Sequence, residues 1–166
     1  KSIGESKLLE WDHLQPGSKT PLRFKVLLEL CRRFHEEPMN LGVQFSSSRD
    51  IYHHFQTRLG NLKQERFIIV ILDNKHRFLS ETTVTVGLLN RSLVHPREVF
   101  AEAIEQRAAA IICIHNHPSG DSSPSEEDKR ITRRLQESGE LLGIPLLDHI
   151  IISKEDFTSF ADEGWL

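Results

Sequence analysis

The sequence HNHPSGDSSPSEED, residues 115–128, joins an apolar run to a segment with helical spacing. His115 and His117 are separated by one residue, so on an extended chain both imidazoles point to the same side. Asp128 falls in the first turn of the next predicted helix, from which its carboxylate can turn back toward the histidines. Two imidazoles and one carboxylate leave one position of a tetrahedral zinc ion open, which is typical of catalytic sites. The pattern therefore predicts a catalytic metal site.

Segments with strand and helix character alternate on either side of this stretch. Apolar or alternating runs rich in β-branched residues predict strands at 67–72, 78–86, 110–114 and 146–152, with a short strand or turn at 157–160. Turn residues 73–75 would join the first two strands as a hairpin. Helical spacing predicts helices at 22–34, from the serines 46–48 to Gly60, from Pro96 onward, and from Ser125 to Gly143. In the helix that begins at Pro96, the buried side is expected to carry Val99, Phe100, Ala103 and Ile104. Strands interleaved with helices predict an α/β fold, a mixed sheet with helices on both faces.

The composition is that of an ordinary soluble globular chain. Its 166 residues include 38% hydrophobic and 27% charged residues, and no apolar run approaches the length of a membrane span. No signal peptide is visible, and two cysteines without C-x-x-C spacing build neither a disulfide framework nor a zinc knuckle. These features predict a cytoplasmic protein without a membrane partner. The sequence carries no indication of an oligomeric state.

The charge is unevenly distributed along the chain. The net charge is −3, with ten basic against seven acidic residues in 1–64 and eleven against seventeen in 65–166. An acidic second part argues against attraction to nucleic acid over the whole surface. The weakly basic first part permits a partner without identifying one.

A metal site that cleaves bonds with water also needs a general base. The sequence HEEPM at 35–39 resembles the His-Glu-x-x-His pattern, but its fifth residue is Met and Pro38 breaks a helix. Glu65 is the natural candidate, because a period of two puts it on the same side as the odd-numbered residues of strand 67–72. Glu81 and Glu98 are rivals that the spacing leaves open.

Several of the polar and reactive residues have structural explanations that compete with functional ones. Ser125 and Asp128 have the spacing of a helix capping box, which is compatible with a role in the site. Cys113 lies inside an apolar strand and is interpreted as a core residue. We interpret the neighbours Asp148 and His149 as a satisfied polar pair beside the site, with a supporting role for the metal ligands as the alternative. We interpret four basic residues of the last predicted helix as a solvated face rather than as a contact with an anionic partner; they are Lys129, Arg130, Arg133 and Arg134.

The order and spacing of these residues resemble a known motif. The JAMM motif of JAB (MPN-plus) metalloproteases has the same pattern: Glu65, then His115-x-His117, seven residues, Ser125, two residues and Asp128. The surrounding sequence is most similar to the bacterial RadC family, on the segments LGNLKQE (59–65), LDNK (72–75), PREVF (96–100), HNHPSGD (115–121) and LDH (147–149). The resemblance covers residues 45–166. Residues 1–44 then form an N-terminal helical segment, in which 22–34 resembles the last helix of that family's helix-hairpin-helix region.

The resemblance implies a fold and a set of roles. The fold would be a three-layer α/β/α sandwich with a mixed central sheet, as in cytidine deaminases, although the deaminase signatures His-x-Glu and Pro-Cys-x-x-Cys are missing here. His115, His117 and Asp128 would ligate zinc, Glu65 would activate the water, and Ser125 would donate a hydrogen bond to the oxyanion. Asn116 departs from the Ser or Thr that relatives removing ubiquitin-like modifiers carry between the histidines. The contiguous His-Asn-His is not the dispersed motif of HNH nucleases.

Three functions remain open at this point. The first is a zinc-dependent hydrolase of peptide or isopeptide bonds in a peptide or protein substrate. The second is a metal-dependent nuclease or DNA-processing factor, implied by the traditional link of the RadC family to DNA repair. The third is a non-catalytic interaction domain. The negative charge of 65–166 favours the peptide substrate over nucleic acid.

Overall fold

A computed structural model describes residues 41–87 and 94–166, together with Val26. The chain divides into two units after Pro38, and all the described residues except Val26 belong to the second, Met39–Leu166. The predicted helix at 22–34 lies outside the described residues, apart from Val26. The predicted domain boundary at residue 44 stays a prediction. Gly42 and Val43 exchange backbone hydrogen bonds with Phe78.

In the described part of the chain, five strands form one mixed sheet in the order β2-β1-β3-β4-β5. They are β1 Arg66–Leu72, β2 Phe78–Val86, β3 Ala110–Asn116, β4 Leu146–Ile152 and β5 Phe157–Ser159. β1 is antiparallel to β2 and β3, β3 is parallel to β4, and β4 is antiparallel to β5. The predicted hairpin of β1 and β2 is confirmed. Its turn is held by Asp73, whose carboxylate accepts from the backbone of Lys75 and Arg77.

Helices cover both faces of the sheet, which confirms the predicted α/β fold. They are α1 Ser48–Leu59, α2 Pro96–Glu105 and α3 Glu126–Leu142. The even-numbered side chains of β1 pack with those of α1, and the odd-numbered ones pack with those of α2 and α3. Because strand side chains alternate between faces, one apolar run supplies two cores. Cys113 is fully buried in the second core, as predicted.

One predicted core position is wrong. Ile104 is 54% exposed, whereas Val99, Phe100 and Ala103 are buried as expected. The end of α2 explains the difference: Arg107 takes a positive φ of 55°, and the backbone N–H of Ala108 donates to the carbonyl oxygen of Ala103. This helix ending folds Ala108 into the core beside Ala103 and leaves Ile104 on the outer side.

Serine and proline begin the helices where the sequence predicts. Ser47 caps α1 by accepting from the backbone N–H of Asp50, Pro96 opens α2, and Ser125 caps α3. Gly60 follows α1, and Gly143 ends α3 with a left-handed φ of 70°. No helix in the described part of the chain is both long and apolar enough to cross a membrane.

Gly139→Ala is expected to destabilise the protein, although alanine favours a helix over glycine by about 1 kcal/mol. A Cβ atom at this buried position would lie 2.5 Å from the carbonyl oxygen of Ile144 and 3.2 Å from Cζ of Phe100. Overpacking of this kind costs about 1–3 kcal/mol. Urea denaturation should therefore give a lower free energy of unfolding. The exposed Glu137→Ala is the control and should change stability by less than about 0.5 kcal/mol; an equal effect of the two substitutions would contradict the steric explanation.

Candidate metal centre

The structure brings together the three predicted ligands from two elements. His115 is the penultimate residue of β3, His117 follows that strand, and Asp128 lies in the first turn of α3. Nε2 of His115 is 2.8 Å from Nε2 of His117 and 3.3 Å from Oδ1 of Asp128. Nε2 of His117 is 3.5 Å from Oδ2 of Asp128. The three side chains could hold a metal ion between them.

The donor atoms suit a divalent cation of the zinc type. Imidazole nitrogen and carboxylate oxygen are common zinc ligands, and two ligand atoms of one tetrahedral zinc ion lie roughly 3.3 Å apart. The distances between 2.8 and 3.5 Å fall around this value. His115 and Asp128 are buried, and His117 is partly exposed. The cluster is therefore open to solvent on the side of His117, where a substrate can approach.

The loop after β3 fixes the ring of His117. Its Nδ1 lies 2.8 Å from the carbonyl oxygen of Asp121. A carbonyl only accepts, so Nδ1–H is the donor, and Nε2 of the neutral ring carries a lone pair directed toward the cluster. The loop turns at Gly120, which has a φ of 88°, and the Asp121 carboxylate accepts from the backbone of Ser123. This supporting hydrogen bond is the kind that metal-ligating histidines make.

Ser125 and Asp128 form the capping box that their spacing predicts. The backbone N–H of Asp128 donates to Oγ of Ser125, and the backbone N–H of Ser125 donates to Oδ2 of Asp128. The hydroxyl of Ser125 also donates to Oδ2, at 2.5 Å. Oδ2 thus accepts two hydrogen bonds from Ser125, and Oδ1 is turned toward His115. The cap holds the carboxylate against the histidines.

The electrostatics of the cluster favour a bound cation. Burial lowers the pKa of His115 well below its usual value, and the neighbouring His149 adds to the effect. Burial also acts to lower the pKa of His117, but the Asp128 carboxylate and the Asp121 carbonyl outweigh it and raise that pKa overall. For Asp128, burial acts to raise the pKa, and the two histidines with Ser125 outweigh it and lower the pKa. Asp128 is therefore an anion at neutral pH, directed at two imidazoles.

Glu65 lies just before β1, on the side of the sheet that carries the histidines. Phe67 is paired with His115 in antiparallel register, so two more steps along each strand place Glu65 opposite His117. In agreement, the Glu65 carboxylate is one of the charges that raise the pKa of His117. The carbonyl oxygen of Glu65 accepts from the backbone N–H of Gly87 at 2.8 Å.

The two rival glutamates form ion pairs with arginines. Glu81 is paired with Val70 of β1 on the α1 side of the sheet, the face opposite to the histidines, and forms a salt bridge of 2.6 Å with Arg58. Glu98 lies on α2, where its carboxylate pairs with the neighbouring Arg97 at 2.9 Å. Of the three candidate bases, Glu65 is the one that the strand register places beside His117.

Asn116 has a role that the sequence pattern does not reveal. Its Oδ1 accepts from the backbone N–H of Arg66 at 2.8 Å, and its Nδ2 donates to the carbonyl oxygen of Gln64 at 3.2 Å. These two peptide groups flank Glu65. Asn116 is only 1% exposed. Its side chain thus makes the hydrogen bonds to the β1 chain beyond the last paired residues of the two strands, Phe67 and His115. It fixes the backbone that carries the candidate base.

Asn116→Ala is expected to lower the free energy of unfolding by about 1–3 kcal/mol, because it removes two part-buried hydrogen bonds, to Arg66 and Gln64, each worth about 0.5–1.5 kcal/mol. Urea denaturation measures the change. The same substitution at the exposed Asn74 is the matched control and should stay within about 0.5 kcal/mol of the original protein. Equal effects at the two asparagines would show that the bridge contributes nothing to stability.

Asp148 and His149 are both buried and satisfied, but in separate networks. The Asp148 carboxylate accepts from the hydroxyl of Ser159 and the backbone N–H groups of His149 and Ala161. Burial raises the pKa of Asp148, and these hydrogen bonds partly offset the effect. The ring of His149 instead contacts His115. Its Nε2 lies 2.8 Å from Nδ1 of His115.

The basic residues of α3 are exposed, as the solvated-face interpretation expects. Lys129 forms an ion pair with Glu126 at 2.9 Å, and Arg130 lies 3.8 Å from Glu127, one turn earlier in the same helix. Arg134 contacts the ring of His95 at 2.9 Å. Acidic residues of the same helix thus offset part of this positive charge.

Comparison with known proteins agrees with this geometry. Residues 45–165 match the family model described as RadC-like JAB domain. A relative named UPF0758 protein from Syntrophotalea carbinolica is 47% identical over 150 residues, which are 90% of this chain and 66% of the relative. Another UPF0758 protein, from Trichlorobacter lovleyi, is 46% identical over 167 residues, covering 100% of this chain and 73% of the relative. The chain spans about two thirds or slightly less of the length of several such relatives. On this match and these identities, the chain belongs to the family of RadC-like JAB-domain proteins.

Proposed function

We propose that this protein is a zinc-dependent hydrolase of the metallopeptidase or isopeptidase type. The observation that carries the proposal is the convergence of His115, His117 and Asp128, with Glu65 on the same side of the sheet. Membership of the JAB-domain family supports it. Three protein ligands are the number that catalytic zinc sites use, since they leave a position for water or substrate.

The protein would hold the cation through Nε2 of both histidines and the carboxylate of Asp128. When bound there, a zinc ion lowers the pKa of water to roughly 7 and polarises the carbonyl group under attack. The closed side of the cluster, formed by buried His115 and Asp128, excludes bulk solvent. Exclusion of water strengthens the electrostatic interactions within the site.

Glu65 would act as the proton carrier. Its carboxylate takes the proton from the attacking water and delivers it to the leaving amine, as a general base and then a general acid. Such transfer requires a fixed distance, and three hydrogen bonds hold the backbone around Glu65. The N–H of Gly87 donates to the carbonyl of Glu65, and the side chain of Asn116 donates to the carbonyl of Gln64 and accepts from the N–H of Arg66. These contacts support the role of Glu65, because they hold the backbone from which its carboxylate extends at the start of β1.

Ser125 would stabilise the oxyanion. A hydroxyl has one proton, and here it is given to Oδ2 of Asp128. Donation to a substrate oxygen therefore requires the hydroxyl to rotate away from Asp128. A donor of this kind contributes about 2.7–4 kcal/mol to the transition state where it has been removed in other hydrolases.

A peptide or protein is the favoured substrate. A nuclease site needs a row of cations along the nucleic-acid backbone. The basic residues nearest the start of α3, Lys129 and Arg130, are instead paired within their own helix. The net charge of 65–166 is also negative. A nuclease and a non-catalytic interaction domain are the alternatives that the following experiment separates.

The test combines metal analysis with cleavage assays. The purified protein is loaded with zinc, its metal content is determined, and it is incubated with panels of linear peptides, isopeptide-linked substrates, and single- and double-stranded DNA. We expect about one zinc per chain and cleavage of peptide or isopeptide bonds that stops when a chelator removes the metal. Metal-dependent cleavage of DNA alone would replace the proposal with a nuclease. Stoichiometric zinc without cleavage of any substrate would contradict the hydrolase and favour the non-catalytic interaction domain.

A further inference from the structure

The ring of His149 lies directly behind the cluster, on the side away from solvent. It is fully buried on β4, stacked on Phe160 with ring centres 5.0 Å apart and set edge-on to Phe67 at 5.4 Å. Both of its nitrogens have polar partners. Nε2 lies 2.8 Å from Nδ1 of His115, and Nδ1 lies 2.5 Å from the hydroxyl oxygen of Thr132.

The hydroxyl of Thr132 fixes the direction of these hydrogen bonds. Its oxygen is 2.6 Å from the carbonyl oxygen of Asp128, one turn earlier in α3. A carbonyl only accepts, so the single hydroxyl proton points to Asp128. Toward His149 the hydroxyl oxygen must accept, and Nδ1 of His149 therefore carries the ring proton.

The same reasoning extends to His115. Both rings are fully buried and pack against the aromatic ring of Phe67, and removal from water disfavours the charged form. A neutral His149 with its proton on Nδ1 has a bare Nε2, which accepts from Nδ1–H of His115. His115 then has no proton on Nε2, the nitrogen that faces His117 and Asp128.

We propose that Thr132 and His149 are positioning residues that hold His115 in its Nδ1–H tautomer, with the lone pair of Nε2 directed into the metal centre. The carbonyl of Asp121 does the same for His117. Two lone pairs then face each other across 2.8 Å beside a carboxylate, an arrangement that a positive charge between them relieves. The chain of hydrogen bonds begins at the backbone of Asp128, so one metal ligand helps to orient another through Thr132 and His149.

This inference concerns the metal-binding part of the proposed function and does not depend on hydrolysis. Its direct test is nuclear magnetic resonance of the metal-free protein labelled with ¹⁵N at histidine. Two-bond ¹H–¹⁵N correlations distinguish a protonated ring nitrogen from a bare one. At neutral pH we expect His115 and His149 each to be protonated at Nδ1 and bare at Nε2. A proton on Nε2 of His115 would overturn the proposal.

Paired variants test the two positioning residues by zinc affinity. His149→Phe fills the space between the aromatic rings but cannot accept from His115, whereas His149→Gln can place an amide oxygen where Nε2 stood. Loss of a supporting partner of a metal-ligating histidine typically costs about 10–100-fold in affinity. We expect a loss of this size in His149→Phe and recovery to within a few-fold in His149→Gln. Equal affinities in the two variants would contradict a role through hydrogen bonding.

Thr132→Val and Thr132→Ser provide a second pair, in case His149→Phe does not fold. Valine has the shape of threonine without its hydroxyl, and serine retains the hydroxyl. We expect Thr132→Val to mix the tautomers of His149 and His115 in the metal-free spectrum and to weaken zinc binding, and Thr132→Ser to restore both. An unchanged tautomer in Thr132→Val would overturn the role of Thr132. If the tautomers are as expected but no bond is cleaved, the proposed hydrolase function is contradicted, whereas the positioning role of Thr132 and His149 is supported.

Discussion

Glu65→Gln is expected to abolish hydrolysis while leaving the metal bound. Glutamine has nearly the shape of glutamate, so the neighbouring backbone keeps its hydrogen bonds with Gly87 and Asn116. Its amide cannot take a proton from water at neutral pH. General acid–base catalysis typically contributes about 10²–10⁴-fold, and kcat should fall by at least this range. The measurements are kcat on a cleaved peptide and the zinc content of each preparation.

The two rival glutamates provide matched controls for this experiment. Glu81 is paired with Arg58 on the opposite face of the sheet, and Glu98 with Arg97 on the surface of α2. Glu81→Gln and Glu98→Gln should retain kcat within a few-fold. Activity retained in Glu65→Gln and lost in either control would transfer the role of proton carrier to that residue.

His117→Ala is expected to lose the metal. The substitution removes one of three ligands, so zinc affinity should fall by more than the roughly 10–100-fold that the loss of a supporting partner costs. It should also remove the stabilisation by zinc, which for a site at 100 times its Kd is about 2.7 kcal/mol. Isothermal titration with zinc and thermal unfolding with and without zinc measure the two effects.

The control for this second experiment is another histidine outside the cluster. His53 is exposed on α1, and His53→Ala should bind zinc as the original protein does. Stoichiometric zinc retained in His117→Ala at concentrations near the original Kd would refute its assignment as a ligand. His115 and Asp128 are less suitable for this purpose, because both are buried and their replacement also disturbs packing.

Local patterns in the sequence were sufficient for most of the fold and for the candidate ligands. The apolar runs 67–72 and 110–114 predict buried strands because every residue in them is apolar. The His-x-His spacing places two imidazoles on one side by the period of a strand. The capping box of Ser125 and Asp128 fixes where α3 begins and turns the carboxylate toward the strand.

The features that the sequence did not reveal depend on contacts between distant segments. Asn116 bonds to backbone groups some fifty residues earlier, and its position opposite Arg66, next to Glu65, follows from the register of β1 and β3. The contact of Thr132 with His149 likewise depends on how α3 packs on β4. The exposure of Ile104 follows from a helix ending that no glycine marks, since Arg107 adopts the left-handed conformation.

The position of β3 in the middle of the sheet has a consequence for the mobility of the site. β3 is hydrogen-bonded to β1 on one side and β4 on the other, and His115 has a partner on each. Separating a central strand of this kind requires most of the domain to open, whereas residues beyond strand ends fluctuate at low cost in free energy. We therefore expect His115 to be as rigid as the protein interior, so that the metal centre has at least one ligand that an incoming substrate does not displace.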